Sequence, residues 1–113
     1  MTIVTIDGTE VHLDGTTVSF RHPVKKTIRS DDTVVVLLDV PVGTIDNRNV
    51  IGISVDGDRR WEIEPISDDA TADQAYVNIY KKDGDVWVVN PIGAECRLSL
   101  SDGSFAETQT KRW

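Results

Sequence analysis

Two histidines, His12 and His22, one cysteine, Cys96, and two Asp-Gly-Asp triplets are the residues of this 113-residue chain best suited to chemistry. The triplets, Asp56-Gly57-Asp58 and Asp83-Gly84-Asp85, space hard oxygen ligands as the start of an EF-hand calcium loop does. Such a loop also needs a Glu at its twelfth position. Counted from Asp56 and Asp83, that position holds Ser67 and Ala94, so both triplets read as turns. Two histidines with no third clustered ligand and no Cys-x-x-Cys pair make a poor zinc site. The sequence has no Gly-x-Ser-x-Gly elbow to present a nucleophile. Cys96 alternates with Leu98 and Leu100, the spacing of a small apolar residue on the buried face of a strand. No catalytic residue, metal site or cofactor is expected, and the balance lies against an enzyme.

What remains are surfaces. Lys25, Lys26 and Arg29 form the one local positive cluster and could meet an anion or a partner; solvated charge beside a Pro-containing loop is the plainer reading. Trp61, Tyr76, Tyr80 and Trp87 fall on segments expected to be strands, with Tyr76 and Tyr80 at even spacing on one face. They could line a stacking surface or a pocket, against the competing reading that they pack a core.

Charge narrows the partners. Twelve basic and nineteen acidic residues leave a net charge of −7, which repels phosphate backbones and disfavours nucleic acid. The acidic set is 14 Asp to 5 Glu, with only 5 Lys among the cations. A high-salt cytoplasm selects such a surface, because ions screen its self-repulsion; abundant Asp in turns explains it equally well. The single cysteine rules out an intramolecular disulfide. Apolar runs such as Val34 to Leu38 are far too short to cross a bilayer, and Met1 to Ile6 lacks a basic head. A cytoplasmic protein with no membrane contact is expected.

The elements that position these residues are read from five Asp-Gly pairs, at residues 7, 14, 56, 83 and 102, each between short runs rich in Val, Ile, Leu, Thr or Trp. A type I′ hairpin turn needs φ > 0 at both central residues, which Asp tolerates and Gly adopts freely. Hairpins are therefore expected around each pair. Asp32 to Asp39, the most apolar run, belongs at a sheet's centre. His22-Pro23 breaks the pattern, and Val24 to Ser30 is expected as a crossing loop or short turn. Ser67 to Gln74 reads as a surface loop. The whole, residues 1–113, reads as one all-β domain of about 8–10 strands, with little or no helix: antiparallel hairpins closing into a sandwich or a partly open barrel.

Val86 to Asn90, Gly93 and Arg97 to Gly103 are together similar to one blade of a quinoprotein-type β-propeller. A closed propeller needs about four to eight blades, and this chain holds at most two, so the resemblance implies a blade-like sheet and not a ring. The chain also resembles a family of uncharacterised bacterial and archaeal proteins of similar length. That likeness rests on Asp32 to Asp39, Pro41-Val42-Gly43, Asn47 to Val50, Trp61-Glu62-Ile63, Tyr76 to Ile79, Asp83 to Trp87 and Gly93. It implies the fold and brings no established activity. With no catalytic constellation and with wide sheet faces, the expected role is binding another protein, an immunity-type inhibitor being one such role, or self-pairing through an edge strand. The alternatives are a small-ligand binder or enzyme using a pocket at one end of a barrel, and a structural or virion accessory protein.

Overall fold

A computed structural model describes residues 4–63, 75–91 and 93–110, the last six by backbone alone. Eleven strands and no helix occur among them: β1 (Thr5–Asp7), β2 (Glu10–Leu13), β3 (Thr16–Ser19), β4 (Val24–Ser30), β5 (Thr33–Leu38), β6 (Val50–Ser54), β7 (Arg59–Glu62), β8 (Asn78–Lys82), β9 (Asp85–Val89), β10 (Ala94–Leu98) and β11 (Phe105–Thr110). They form three antiparallel meanders, β1–β3, β4–β7 and β8–β11, in which every ladder joins chain neighbours. No barrel closes among them; the architecture is a layered β-sandwich. The polar stretch Ser67 to Gln74 lies outside the described residues.

The middle sheet is covered on both faces, which is why β5 carries no polar side chain after Thr33. Successive side chains of a strand point to opposite faces. Val34, Val36 and Leu38 accordingly join Val11, Leu13 and Phe20 beneath the first sheet, while Val35 and Leu37 join Ile79, Val88 and Leu98 of the third. Val34 to Leu38 are at most 1% exposed, and burying each such side chain stabilises by roughly 1.5–3 kcal/mol. Cys96 packs in the second of these cores, as its alternation with Leu98 predicts.

Trp61 fastens the middle sheet to the third. It stands directly across from Gly52 of β6, and a Cβ on that glycine would lie 2.1 Å from the indole. On the other side a Cβ on Gly103 would lie 2.6 Å from the same ring. The indole Nε1 donates to the Leu100 carbonyl at 2.8 Å, so the buried N–H is satisfied.

Two expectations need correction. Val24 to Ser30 is a strand, not a loop: it pairs with β5 from Val24↔Leu38 to Ser30↔Thr33, with a bulge between Val24 and Lys26. Pro23 lies just outside, where its missing N–H breaks no ladder bond. The sequence pattern hid this strand because its lysines sit at a sheet edge. The Asp-Gly corners are also not uniformly type I′. Only Asp83-Gly84 has positive φ at both residues, 53° and 82°, between paired Lys82 and Asp85. At Gly57, φ is 94° and its N–H bonds the Ser54 carbonyl at 3.0 Å, while Ser54 N–H bonds the Asp58 carbonyl at 2.8 Å. That is a type I turn closed by a glycine bulge.

The β4 and β8 edges run side by side without pairing. Lys26 Nζ donates to the Ile79 carbonyl at 2.5 Å and the Asn78 Oδ1 at 3.4 Å. Lys81 Nζ reaches back to the Arg29 carbonyl at 3.5 Å. Ammonium groups thus satisfy carbonyls that would otherwise invite a foreign strand.

Candidate functional site

The segment linking β5 to β6, residues 39–49, carries the two most exposed large apolar side chains among the described residues. Pro41 stops the strand, and Thr44 N–H bonds the Pro41 carbonyl at 3.1 Å to form a tight turn. Val42 at the tip is fully exposed and Ile45 is 48% exposed. Single exposed apolar residues are ordinary; two on one loop that is anchored at its base are less so.

The anchor is Asp46. Arg21, just past β3, grips it with two guanidinium nitrogens, Nε to Oδ2 at 2.7 Å and Nη2 to Oδ1 at 3.2 Å. His22 Nε2 lies 2.9 Å from Oδ2, and the Arg48 N–H donates to Oδ1 at 3.1 Å. Arg21 continues to Glu62 of β7 at 3.1 and 3.3 Å and to the Arg48 carbonyl at 2.8 Å. Bidentate charge-assisted bonds of this kind fix geometry as well as adding energy. The loop foot is therefore tied to both the first and the middle sheets. The far end is held by Asn49, almost wholly buried: its Nδ2 donates to the Leu38 and Tyr76 carbonyls, each at 2.9 Å, and its Oδ1 accepts from Tyr76 N–H at 2.8 Å. A cleft of about 290 Å³ opens beside it, walled by Lys25, Asp39, Val40, Tyr76 and Pro91.

Burial pushes the Asp46 carboxyl up. The Arg21 hydrogen bond, the Arg48 N–H and the charges of Arg21 and His22 outweigh it and hold the group below its usual value. The Asp46 hydrogen bond in turn raises the Arg21 guanidinium against the opposing effect of desolvation. A carboxylate depressed on folding contributes stability that is present above its unfolded pKa, about 3.9, and is lost as pH falls through the folded value. Melting of the native chain should therefore drop as pH falls from about 5 to about 3, and D46N should flatten part of that drop. Superimposable acid profiles for the two would remove Asp46 as an anchor. Asp32 beside Arg60, and Asp102 beside the Ser104 hydroxyl and N–H, are held low as well and carry a further share.

The His22–Asp46 pair has the look of the orienting half of a catalytic triad. Among the described residues no Ser, Thr or Cys side chain bonds His22, and Asp46 is already committed to a guanidinium. The cluster pins a loop.

The residues singled out from the sequence are dispersed. Trp61 and Tyr76 pack in the core between the middle and third sheets. Tyr80 stacks on Trp87 instead, ring centroids 6.5 Å apart and planes within 6°, on the outer face of the third sheet. Burial, then Glu95, raises the Tyr80 phenol. Tyr76 and Tyr80 do not share a face, because residues 75–77 precede the strand and break its alternation. The four rings line no common pocket. Lys25 Nζ approaches the Val77 carbonyl at 3.4 Å, Lys26 is engaged at β8, and Arg29 Nε donates to its own turn at Asp31 O, 3.1 Å. Arg21, Val42, Ile45 and Asp46 were missed, since nothing local in sequence joins positions twenty-five residues apart. One further group could hold a metal ion: ligand atoms of Asp7, Glu10 and His12 lie within 4.8 Å of one another.

Fold and site together define an all-β layered sandwich displaying one pinned apolar loop. No helix among the described residues is long and apolar enough to cross a membrane. The chain belongs to the family described as Domain of unknown function (DUF7957), whose family model matches residues 1–110. No curated protein matches it.

Proposed function

We propose that this protein acts by binding another protein, with the 40–45 loop as its contact element. The observation that carries this reading is the pairing of an exposed apolar tip, Val42 and Ile45, with a rigid base at Asp46. A preformed loop loses little conformational entropy on docking. Anchors that fill a partner's pocket commonly dominate binding energy. The net charge of −7 steers such a surface toward a basic partner, the chemistry an immunity-type inhibitor meets.

The test is affinity capture from native lysate with the wild type and a V42D/I45D double variant of equal melting temperature. The wild type should return a stoichiometric basic partner, and the double variant should weaken that complex by about 30-fold or more, the loss of an anchor worth about 2 kcal/mol. Capture that yields no stoichiometric partner, or a partner held equally by both, overturns the proposal. Concentration-dependent self-association in light scattering, unaffected by the double variant, would point instead to edge-strand pairing.

A further inference from the structure

We infer that the β1–β2 hairpin is a binding site for a borderline divalent transition-metal ion of the Zn²⁺ type, held by Asp7, Glu10 and His12. The register builds the site. Asp7 lies directly opposite Glu10, Thr5 directly opposite His12, and Val11 and Leu13 point inward to the core. Strand alternation then sends Asp7, Glu10 and His12 out on the same face.

Two observations lie outside the ligand set itself. The neighbouring strand β3 places Thr17 opposite His12 and Ser19 opposite Glu10. His12 Nδ1 and the Thr17 hydroxyl are 2.9 Å apart, and the Ser19 hydroxyl donates to Glu10 Oε2 at 3.4 Å. With Nδ1 occupied in this way, Nε2 is the nitrogen turned to the carboxylates, 3.6 Å from Asp7 Oδ2. Metal-binding histidines are characteristically oriented through their other nitrogen in this manner. The second observation is electrostatic. Like charges directly opposite on paired strands repel, yet among the described residues no Lys or Arg pairs with Asp7 or Glu10. His12, paired with Asp7, is the one ionic neighbour the two carboxylates have among the described residues. A divalent cation would remove that repulsion.

The distances fit such an ion. With Zn–N and Zn–O bonds of about 2.0–2.2 Å in a tetrahedral site, two ligand atoms on one ion lie about 3.3–3.6 Å apart, the separation His12 Nε2 and Asp7 Oδ2 already have at 3.6 Å. The present 4.8 Å span therefore closes by small rotations of surface carboxylates. The imidazole selects against Ca²⁺ and Mg²⁺, which take oxygen ligands. Three protein ligands leave a coordination position open.

The experiment is titration calorimetry of tag-free full-length chain with Zn²⁺, with visible absorption of the Co²⁺-loaded protein as a second readout. One ion per chain is expected, with cobalt ligand-field bands. H12Q and E10Q should each weaken binding about 10-fold or more at unchanged metal-free melting, while H22Q, which removes the other histidine, retains it. No saturable heat, binding that survives H12Q, binding lost in H22Q alone, or Ca²⁺ displacing Zn²⁺ would each overturn the assignment.

Discussion

G52A should cost about 3 kcal/mol or more of unfolding free energy, at the top of the range for overpacking a filled core. Its new methyl would fall 2.1, 2.4 and 2.6 Å from three atoms of the Trp61 indole. The ring has nowhere to retreat. Gly103 holds its opposite edge, and the bond from Nε1 to the Leu100 carbonyl fixes its tilt. W61A alone should cost about 3–5 kcal/mol through the void it leaves. In the W61A background the same glycine substitution meets empty space and should cost well under 1 kcal/mol. Urea unfolding of the two single variants and the double variant gives the coupling directly. Additive losses, or a single G52A loss below about 1 kcal/mol, would show that the indole is not clamped between the two glycines.

The second large effect comes from one atom. N49D preserves the shape of a buried side chain but exchanges an NH₂ that donates twice for a carboxylate oxygen. That oxygen would face the Leu38 and Tyr76 carbonyls, each 2.9 Å from the present Nδ2. An unpaired buried charge costs about 3–5 kcal/mol. The sign with pH follows. Burial and the facing carbonyls raise the folded pKa of the new carboxyl above its unfolded value of about 3.9. Relative stability is then greatest below that value and is lost as pH rises through the folded pKa. N49D should thus be nearest to wild type in mild acid and furthest from it at neutrality, opposite in slope to the Asp46 contribution. Denaturant titrations at pH 4.5 and 7 decide it; a deficit equal at both would mean that folding does not raise the carboxyl's pKa, because water reaches it.

The hairpin grammar was legible because turn chemistry is local. Asp-Gly at five positions marked reversals, and the run from Asp32 to Asp39 marked a strand covered on both sides, found at Thr33–Leu38. What the residues did not reveal was layering. Whether Val34 and Val35 serve one core or two depends on what lies across each face, and composition is silent on that. Gly52 takes its meaning from a tryptophan nine positions on, which no local pattern connects to it. The binding elements were least legible of all. Arg21 meets Asp46 only after β4 and β5 have turned back, and Lys25 and Lys26 resembled a free basic patch until Val77 and Ile79 supplied the carbonyls they satisfy. Asp7, Glu10 and His12 could have been found earlier. A reversal at Gly8 places the first two opposite each other, and alternation adds the third.

Because the three meanders follow one another along the chain, a ribosome would deliver them as successive sheets. The first would emerge with Val11, Leu13 and Phe20 bare, waiting for β5 to cover them. The second would then stand with Val35, Leu37 and Trp61 facing water until residues beyond 75 had been made. A nascent fragment halted near residue 63 would be sticky on one side only, and that side is the one most in need of a chaperone.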